Sequence, residues 1–240
     1  MRPDVRRLDA PRPLRVPYVI AWSGEAVTHP LMFTEHGVRR LTYIDARPSD
    51  WVDGMLRART GVDRGGEPVW RALNVHRQWL CMEALLCQVC GASGRHLDTG
   101  RIWWVVTETA FRAIDVASGL TNAPPTCPAC VPDSLASCPQ LRKSSAVYTV
   151  AVAEPVGVLA EVFEPGPDGM ARRTGHNEFV RFDEPGRHPY ILATQLVVRL
   201  EDMRPAGTPE PRAEPVSPSS CNLSWPMGSQ HPVPRGKERR

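Results

Sequence analysis

Cys87-Gln88-Val89-Cys90-Gly91 opens a stretch of chain that Cys127-Pro128-Ala129-Cys130 closes. These two Cys-x-x-Cys pairs, separated by roughly the length of a β-hairpin, limit the possible folds more than any other feature, because they spell a four-thiolate zinc site. Two residues between paired cysteines let one tight turn aim both sulfurs at a single point. Zinc has no d-electron geometry of its own, so two such turns complete a tetrahedron. Gly91 suits the positive φ that ends such a knuckle. The run Val131-Pro132-Asp133-Ser134-Leu135 carries helix-start residues. The second pair is therefore expected at a helix N-terminus, where partial positive charge favours thiolate. Knuckle, hairpin, then a Cys-x-x-Cys opening a helix is the order of a treble-clef zinc finger. Cys87, Cys90, Cys127 and Cys130 are thus the expected ligands of a structural Zn²⁺. A redox dithiol and ordinary buried or disulfide-linked cysteines are the competing readings.

The 240 residues make one sizeable domain or two small ones, and 42% hydrophobic with 23% charged residues reads as globular. Lys143 and Lys237 are the only lysines, so positive charge is nearly all arginine. A net charge of +3 is too small to argue for nucleic-acid binding by itself. No stretch approaches the roughly 18–20 apolar residues of a membrane span. Arg6-Arg7 is followed by Pro11, Arg12, Pro13 and Arg15 rather than an apolar run, so it does not read as an export signal. Seven cysteines, an odd number, without a signal peptide point to a reducing, cytoplasmic setting.

Four regions follow from the pattern. Residues 1–13 read as a flexible basic arm. Residues 14–66 form a β/α segment, with strands over Leu14–Trp22 and Gly37–Ile44. There a short helix starts at Pro48-Ser49-Asp50, with Ser49 as N-cap, and carries Trp51, Val52, Met55 and Leu56 on one face to Arg59. Residues 67–204 are the zinc-bearing α+β core. It begins with a long helix over Pro68–Leu86, whose stripe Val69, Leu73, His76, Leu80 and Ala84 faces inward. His76 is expected as a buried core histidine, Arg77, Gln78 and Glu83 as surface, and Cys81 as packing. Ile102–Thr107 is the strongest strand, with Trp103 and Trp104 on opposite faces and at least one of them in the core. Ala110–Val116 is a strand or short helix. Pro139 ends the helix after the second pair, leaving Cys138 as packing. Ala146–Ala153 and Gly157–Phe163 read as a hairpin or meander, Glu178–Asp183 as a short strand, and Pro189–Asp202 as a C-terminal helix on the spacing of Tyr190, Ala193, Val197 and Leu200. Residues 205–240, rich in proline and containing Trp225, read as a disordered tail.

Catalytic patterns fail on chemistry. His176-Asn177-Glu178 and Cys127-x-x-Cys130 imitate the zinc deaminases, but the order is reversed, Thr126 replaces the proline, and four cysteines leave no position for water. An HNH-type nuclease needs a histidine base and further His or Asn groups. Only His96 and Asn122 stand between the two pairs. A thioredoxin-like dithiol needs a βαβ context that is missing. His29 and His36 read as solvated loop residues. No Ser/His/Asp signature, phosphate-cradling glycine loop or dinucleotide fingerprint is present.

The runs Arg77-Gln78-x-x-Cys81-Met82, Leu86–Gly91, Ile102-Trp103-Trp104, Pro125–Cys130 and Cys138-Pro139-Gln140-Leu141-Arg142 together resemble a set of uncharacterised actinobacterial zinc-finger proteins. The resemblance spans residues 68–203. It implies a shared zinc-bearing fold and carries no activity with it. The expected protein is an α+β chain built on a treble-clef-like four-cysteine module, fed by a long helix and flanked by β-hairpins. Its expected role is a non-catalytic, cytoplasmic zinc-binding interaction protein with a protein or nucleic-acid partner. No membrane association and no small-molecule substrate are expected. An HNH-related nuclease and a thiol redox sensor are the alternatives.

Overall fold

A computed structural model describes residues 15–34, 37–107, 119–167 and 169–209. The arm over residues 1–13, His36, the element over Ala110–Val116, Asp168 and the tail from residue 210, with Trp225, lie outside the described residues. In chain order the strands are β1 (Ile20–Trp22), β2 (Leu31–Phe33), β3 (Leu41–Tyr43), β4 (Trp51–Val52), β5 (Met55–Arg57), β6 (Pro68–Leu73), β7 (Ile102–Val106), β8 (Leu120–Thr121), β9 (Ala146–Val150), β10 (Val152–Pro165), β11 (Ala171–Arg181), β12 (Ile191–Glu201) and β13 (Arg204–Pro205). The helices are α1 (Val75–Glu83), α2 (Val131–Ser137) and α3 (Pro139–Lys143). The chain is α+β, and strands dominate it.

The largest sheet has the order β11-β10-β12-β5-β4, with β8 paired to the far end of β12. A second sheet runs β13-β9-β7, and two-stranded ladders join β1 to β6 and β2 to β3. The face of the large sheet bearing Val158, Ala160, Ile191, Ala193, Leu196 and Val198 packs against Trp79 and Met82 of α1 and against Ile102, Trp104 and Val106 of β7. Leu159 and Val197 point the other way, into a smaller cluster with Val156 and Phe179. This alternation is what a strand covered on both faces requires. Among the described residues, no helix is long and apolar enough to cross a membrane.

Three expected helices resolve differently, each for a local reason. The Pro189–Asp202 helix is instead strand β12. Its inward residues Ile191, Ala193, Leu196, Val198 and Leu200 keep the strand period of two except at one step. There Thr194 is extra, since Leu159 pairs with Gln195 and Ala160 with Ala193. A β-bulge adds one residue to the period, and the resulting three-residue step imitates helical spacing. The Thr194 hydroxyl donates to the Leu159 carbonyl at 2.9 Å and fixes the bulge.

The short helix expected to Arg59 is a 3₁₀ turn, Pro48–Asp50, followed by the hairpin β4–β5. Asp53 and Gly54 sit at φ 49° and 81°, the pair of positive values that a type I′ turn needs and that Asp-Gly supplies. Asp50 rather than Ser49 closes the turn, its carboxylate accepting the Arg47 N–H at 2.7 Å.

The long helix is cut at Asn74. Pro68–Leu73 pairs with β1 as a strand, and α1 begins only at Val75, with the Asn74 side chain accepting the Arg77 N–H. Losing the first turns rotates the inward face. Val75, Gln78, Trp79 and Met82 are buried, with Arg77 and Cys81, whereas His76 is exposed. The expectations of a core His76 and of surface Arg77 and Gln78 are thereby corrected; Glu83 is exposed as expected. The runs Ala146–Ala153 and Gly157–Phe163 are both strands, but they belong to different sheets: β9 pairs with β7, and β10 with β11 and β12.

Gln78 explains how α1 is docked. On the edge of β12 away from β10, β5 covers Leu192 and Ala193 and β8 covers Val198 and Arg199. The fully buried Gln78 amide fills the gap between them. Its Nε2 donates to the Leu196 carbonyl at 3.0 Å and to the Asn122 carbonyl at 2.9 Å, and its Oε1 accepts the Leu196 N–H at 2.9 Å. Gln78→Leu keeps the volume and strands these buried backbone groups. It is expected to cost about 2–3 kcal/mol in chemical denaturation. A loss below about 0.5 kcal/mol, the scatter of ordinary surface substitutions, would show that water replaces the amide.

Candidate metal centre

Helix α1 delivers the chain into the first knuckle through a left-handed residue. Leu85 takes φ 54°, and the Leu86 N–H turns back to the Cys81 carbonyl at 2.9 Å, the closure that ends many helices. In the knuckle, the Gly91 N–H donates to the Cys87 carbonyl at 2.8 Å and the Cys87 N–H to the Ala92 carbonyl at 2.6 Å. Gly91 has φ 75°, and a Cβ there would lie 3.3 Å from the Tyr18 ring. The glycine expected from the sequence is thus favoured by conformation, and a side chain there would also press on the Tyr18 ring. The N–H groups of Tyr18 and Val19 donate to the carbonyls of Val89 and Gln88, both at 3.1 Å, so the start of the described chain braces the knuckle.

The second pair sits where the sequence places it. Cys127 precedes a 3₁₀ turn, Pro128–Cys130, which runs directly into α2. The Cys130 and Val131 N–H groups both donate to the Cys127 carbonyl, at 2.9 and 3.2 Å. Gln88 joins the two halves. Its N–H donates to the Pro125 carbonyl at 2.8 Å, and its side-chain amide donates to the Pro124 carbonyl and to the Thr126 hydroxyl, each at 3.0 Å. The Thr126 N–H reaches the Trp103 carbonyl at 3.0 Å, and the Trp103 N–H reaches Gly94 at 3.0 Å, which ties both knuckles to β7. Trp104 is fully buried, as expected for one of the two tryptophans, and its indole N–H donates to the Ala123 carbonyl at 2.7 Å.

The four sulfurs converge. All lie within 4.8 Å of one another, and those of Cys90 and Cys127 are 3.7 Å apart. Four thiolates at about 2.3 Å from a tetrahedral zinc stand about 3.8 Å apart, so the spacing fits such an ion. Cys87, Cys127 and Cys130 are buried and Cys90 is partly exposed. The Val89 N–H points at the Cys87 sulfur at 3.4 Å, a donor suited to thiolate. Four thiols this close conflict when left to themselves. Hydrogen bonds from Cys127 and then Cys130 drive Cys87 and Cys90 down. The bond to Cys127, then those to Cys87 and Cys90, push Cys130 up. A divalent cation removes the conflict by stabilising all four anions. The arrangement is a four-sulfur donor set able to hold a metal ion.

Other sequence candidates stand apart from it. Cys81 is fully buried, and burial, followed by the neighbouring Cys87 and Cys90, pushes its thiol up to about 12. Cys138 falls between α2 and α3, where the expected proline break occurs. His96 lies against Trp103 with ring centroids 6.5 Å apart, while the Asn122 amide donates to Gln195 at 2.8 Å. His176 pairs with Glu161 on β10 at 2.6 Å. None of these joins the sulfur cluster, which is the one group of three or more potential ligands among the described residues.

One buried constellation has no sequence signal. Glu25, in the turn Ser23–Glu25, is 1% exposed and pairs with Arg77, which is 3% exposed. The partners are 52 positions apart, and neither stands in a motif. Only Asn74, placed ahead of a helical run, could have been read as a cap. Comparison of the chain with protein-family models, with curated proteins and with solved structures gives no match.

Proposed function

We propose that this chain is a non-catalytic interaction protein. In this reading Cys87, Cys90, Cys127 and Cys130 hold a structural Zn²⁺ in a treble-clef-like module. That module fixes the middle of the chain for a protein or nucleic-acid partner in the cytoplasm. The convergence of four sulfurs with no histidine or carboxylate among them carries this reading. Four thiolates close a zinc ion and leave no position for water or substrate. The order of knuckle, strand, second pair and α2 supports the treble-clef-like description in part: among the described residues the two strands between the pairs do not form the expected hairpin, since β7 pairs with β9 and β8 with β12. The resemblance to the actinobacterial set with the same order of motifs supports it as well. Leu97, 94% exposed in the turn between the first knuckle and β7, offers the partner an apolar anchor.

Elemental analysis of the purified chain tests the foundation. The expected result is one zinc per chain, lost in Cys90→Ser. Bound iron with visible absorption, or metal-free protein with every thiol reactive, would overturn it. Titration with DNA and RNA then separates the partners: affinity falling steeply with salt supports nucleic acid, and no binding at any salt leaves a protein partner. Mg²⁺-dependent plasmid nicking lost in His96→Ala would replace the reading with the nuclease. Reversible zinc release under mild peroxide would replace it with the redox sensor.

A further inference from the structure

A second site is built from the loops around β5. A cleft of about 320 Å³ opens between Val27–His29, Arg47–Asp50, the segment Arg57–Val62 and His76. That volume lies at the lower end of the roughly 300–1,000 Å³ of small-molecule sites. None of the four clustered cysteines lines it.

The cleft has one neutralised wall and one unpaired face. The wall is Arg59, which donates to Asp50 through Nε at 2.9 Å and Nη2 at 2.6 Å, and to the Asp45 carboxylate through Nη1 at 2.8 Å. His29 lies 3.3 Å from the same guanidinium, and the Tyr43 ring lies beneath it at 4.2 Å. Asp50, the only carboxylate lining the cleft, is therefore already committed. Arg57 differs. Its guanidinium rests over the Trp79 ring at 5.5 Å. Among the described residues, neither its guanidinium nor that of Arg47 makes a hydrogen bond or an ion pair. Glu83 is within electrostatic reach of Arg57, which draws its carboxyl down against the stronger upward push of partial desolvation, and it does not line the cleft. His76 lines the cleft with part of its surface exposed, and partial desolvation, then the charges of Arg57 and Arg77, lower its pKa and favour the neutral imidazole.

We propose that this cleft binds a phosphate group, with Arg57 and Arg47 as a cationic clamp and His76 as a hydrogen-bond donor. A planar guanidinium meets two phosphate oxygens at once, which a carboxylate-saturated arginine cannot do. Arg59 is saturated and fixes the shape, while Arg57 and Arg47 keep their donors. Stacking on Trp79 holds Arg57 in place before the anion arrives, which lowers the ordering cost of binding. The phosphate is either free or the terminal group of a monoester; both present the same oxygens. The binding site extends the chain beyond the expectation, from composition and motifs, that it takes no small molecule.

Calorimetric titration of the full-length, metal-loaded chain with inorganic phosphate, O-phosphoserine and acetate, at fixed ionic strength, tests the assignment. The expected result is saturable one-site binding of phosphate, of O-phosphoserine or of both, and none of acetate. Binding of phosphate alone identifies the free ion, and binding of O-phosphoserine identifies the ester. Arg57→Gln and Arg47→Gln should each weaken binding about tenfold, while Arg71→Gln on exposed β6 should not. Arg47 is an exposed loop residue, so Arg47→Gln keeps the test valid even where Arg57→Gln disturbs Trp79. Absence of saturable heat up to about 10 mM, enough to reveal binding in the millimolar range, would overturn the proposal. So would equal affinity in Arg47→Gln, or equal binding of acetate.

Discussion

Stripping the proposed zinc with a strong chelator is expected to abolish amide protection over the two knuckles, residues 86–94 and 124–130, while leaving β7 and β10–β12 protected. The reason lies in what else holds that region. The cluster around the sulfurs consists of Cys87, Cys127 and Cys130 with Val89, Cys90 and Ala129, and it contains no large apolar side chain. Hydrophobic burial of so few carbon atoms is worth only a few kcal/mol, at roughly 0.8 kcal/mol per CH₂. Structural zinc sites supply about 10–16 kcal/mol in small peptides, against about 5–15 kcal/mol for the stability of a whole domain. Without the ion, four thiols remain packed within 4.8 Å, where ionisation of any one opposes ionisation of the next. The Gln88 hydrogen bonds to Pro124, Pro125 and Thr126 are neutral, and at about 1 kcal/mol each they do not offset the loss. By contrast β12 pairs with β10 along its full length, and both share the main core with Trp79 and Trp104. Hydrogen exchange read by mass spectrometry distinguishes the two regions, and Cys127→Ser should reproduce the chelator pattern. Undiminished protection of the knuckle peptides in metal-free protein would mean that the metal adds nothing to the fold.

The cysteine site was legible because its grammar is local. Two residues between sulfurs, a glycine after the first pair and helix-start residues after the second are each decided within a few positions. The two halves need only one meeting to complete the site. Helix and strand assignments failed where period alone was read. Thr194 inserts one residue into β12, and a single three-residue step then looks helical. Asp53-Gly54 carried the hairpin signal that the apolar face of Trp51, Val52, Met55 and Leu56 obscured. Asn74 carried the cap that separates β6 from α1. Once that cap is recognised, His76 turns outward, and Arg77 and Gln78 turn inward. The roles of those two residues depend on Glu25 and Leu196, 52 and 118 positions away, and no local pattern contains that information.

Glu25→Gln should be the most damaging single change outside the four-cysteine cluster, costing about 3–5 kcal/mol, because it leaves the Arg77 charge buried without its partner. The carboxylate is the hub of the N-terminal half. It accepts from Arg77 Nη1 at 2.5 Å and Nη2 at 2.7 Å, from the Asn74 amide at 3.0 Å, and from the N–H groups of Trp22 at 2.9 Å and Arg64 at 3.1 Å. These bonds tie β1, the loop after β5 and the start of α1 to one group. Burial alone would raise the Glu25 pKa. The Arg77 pair, followed by the other donors, overcomes it and lowers the value from 4.5 to about 2. A depressed folded-state pKa means that the unfolded chain takes up the proton first. The contribution of Glu25 is therefore complete above about pH 4.5 and lost as pH falls towards 2; a difference of about 2.5 units corresponds to about 3 kcal/mol. Thiolate ligands are also protonated in acid and release metal, so the informative quantity is the difference between Glu25→Gln and the parent chain. In denaturation at pH 7 and pH 3, that difference should shrink by about 1–2 kcal/mol, since pH 3 covers part of the window. In a double-mutant cycle with Arg77→Met, the two changes together should cost markedly less than their sum. Additive costs, or a parent-to-variant gap unchanged by acid, would show that Glu25 and Arg77 are stabilised separately, and that the closed N-terminal half rests on packing alone.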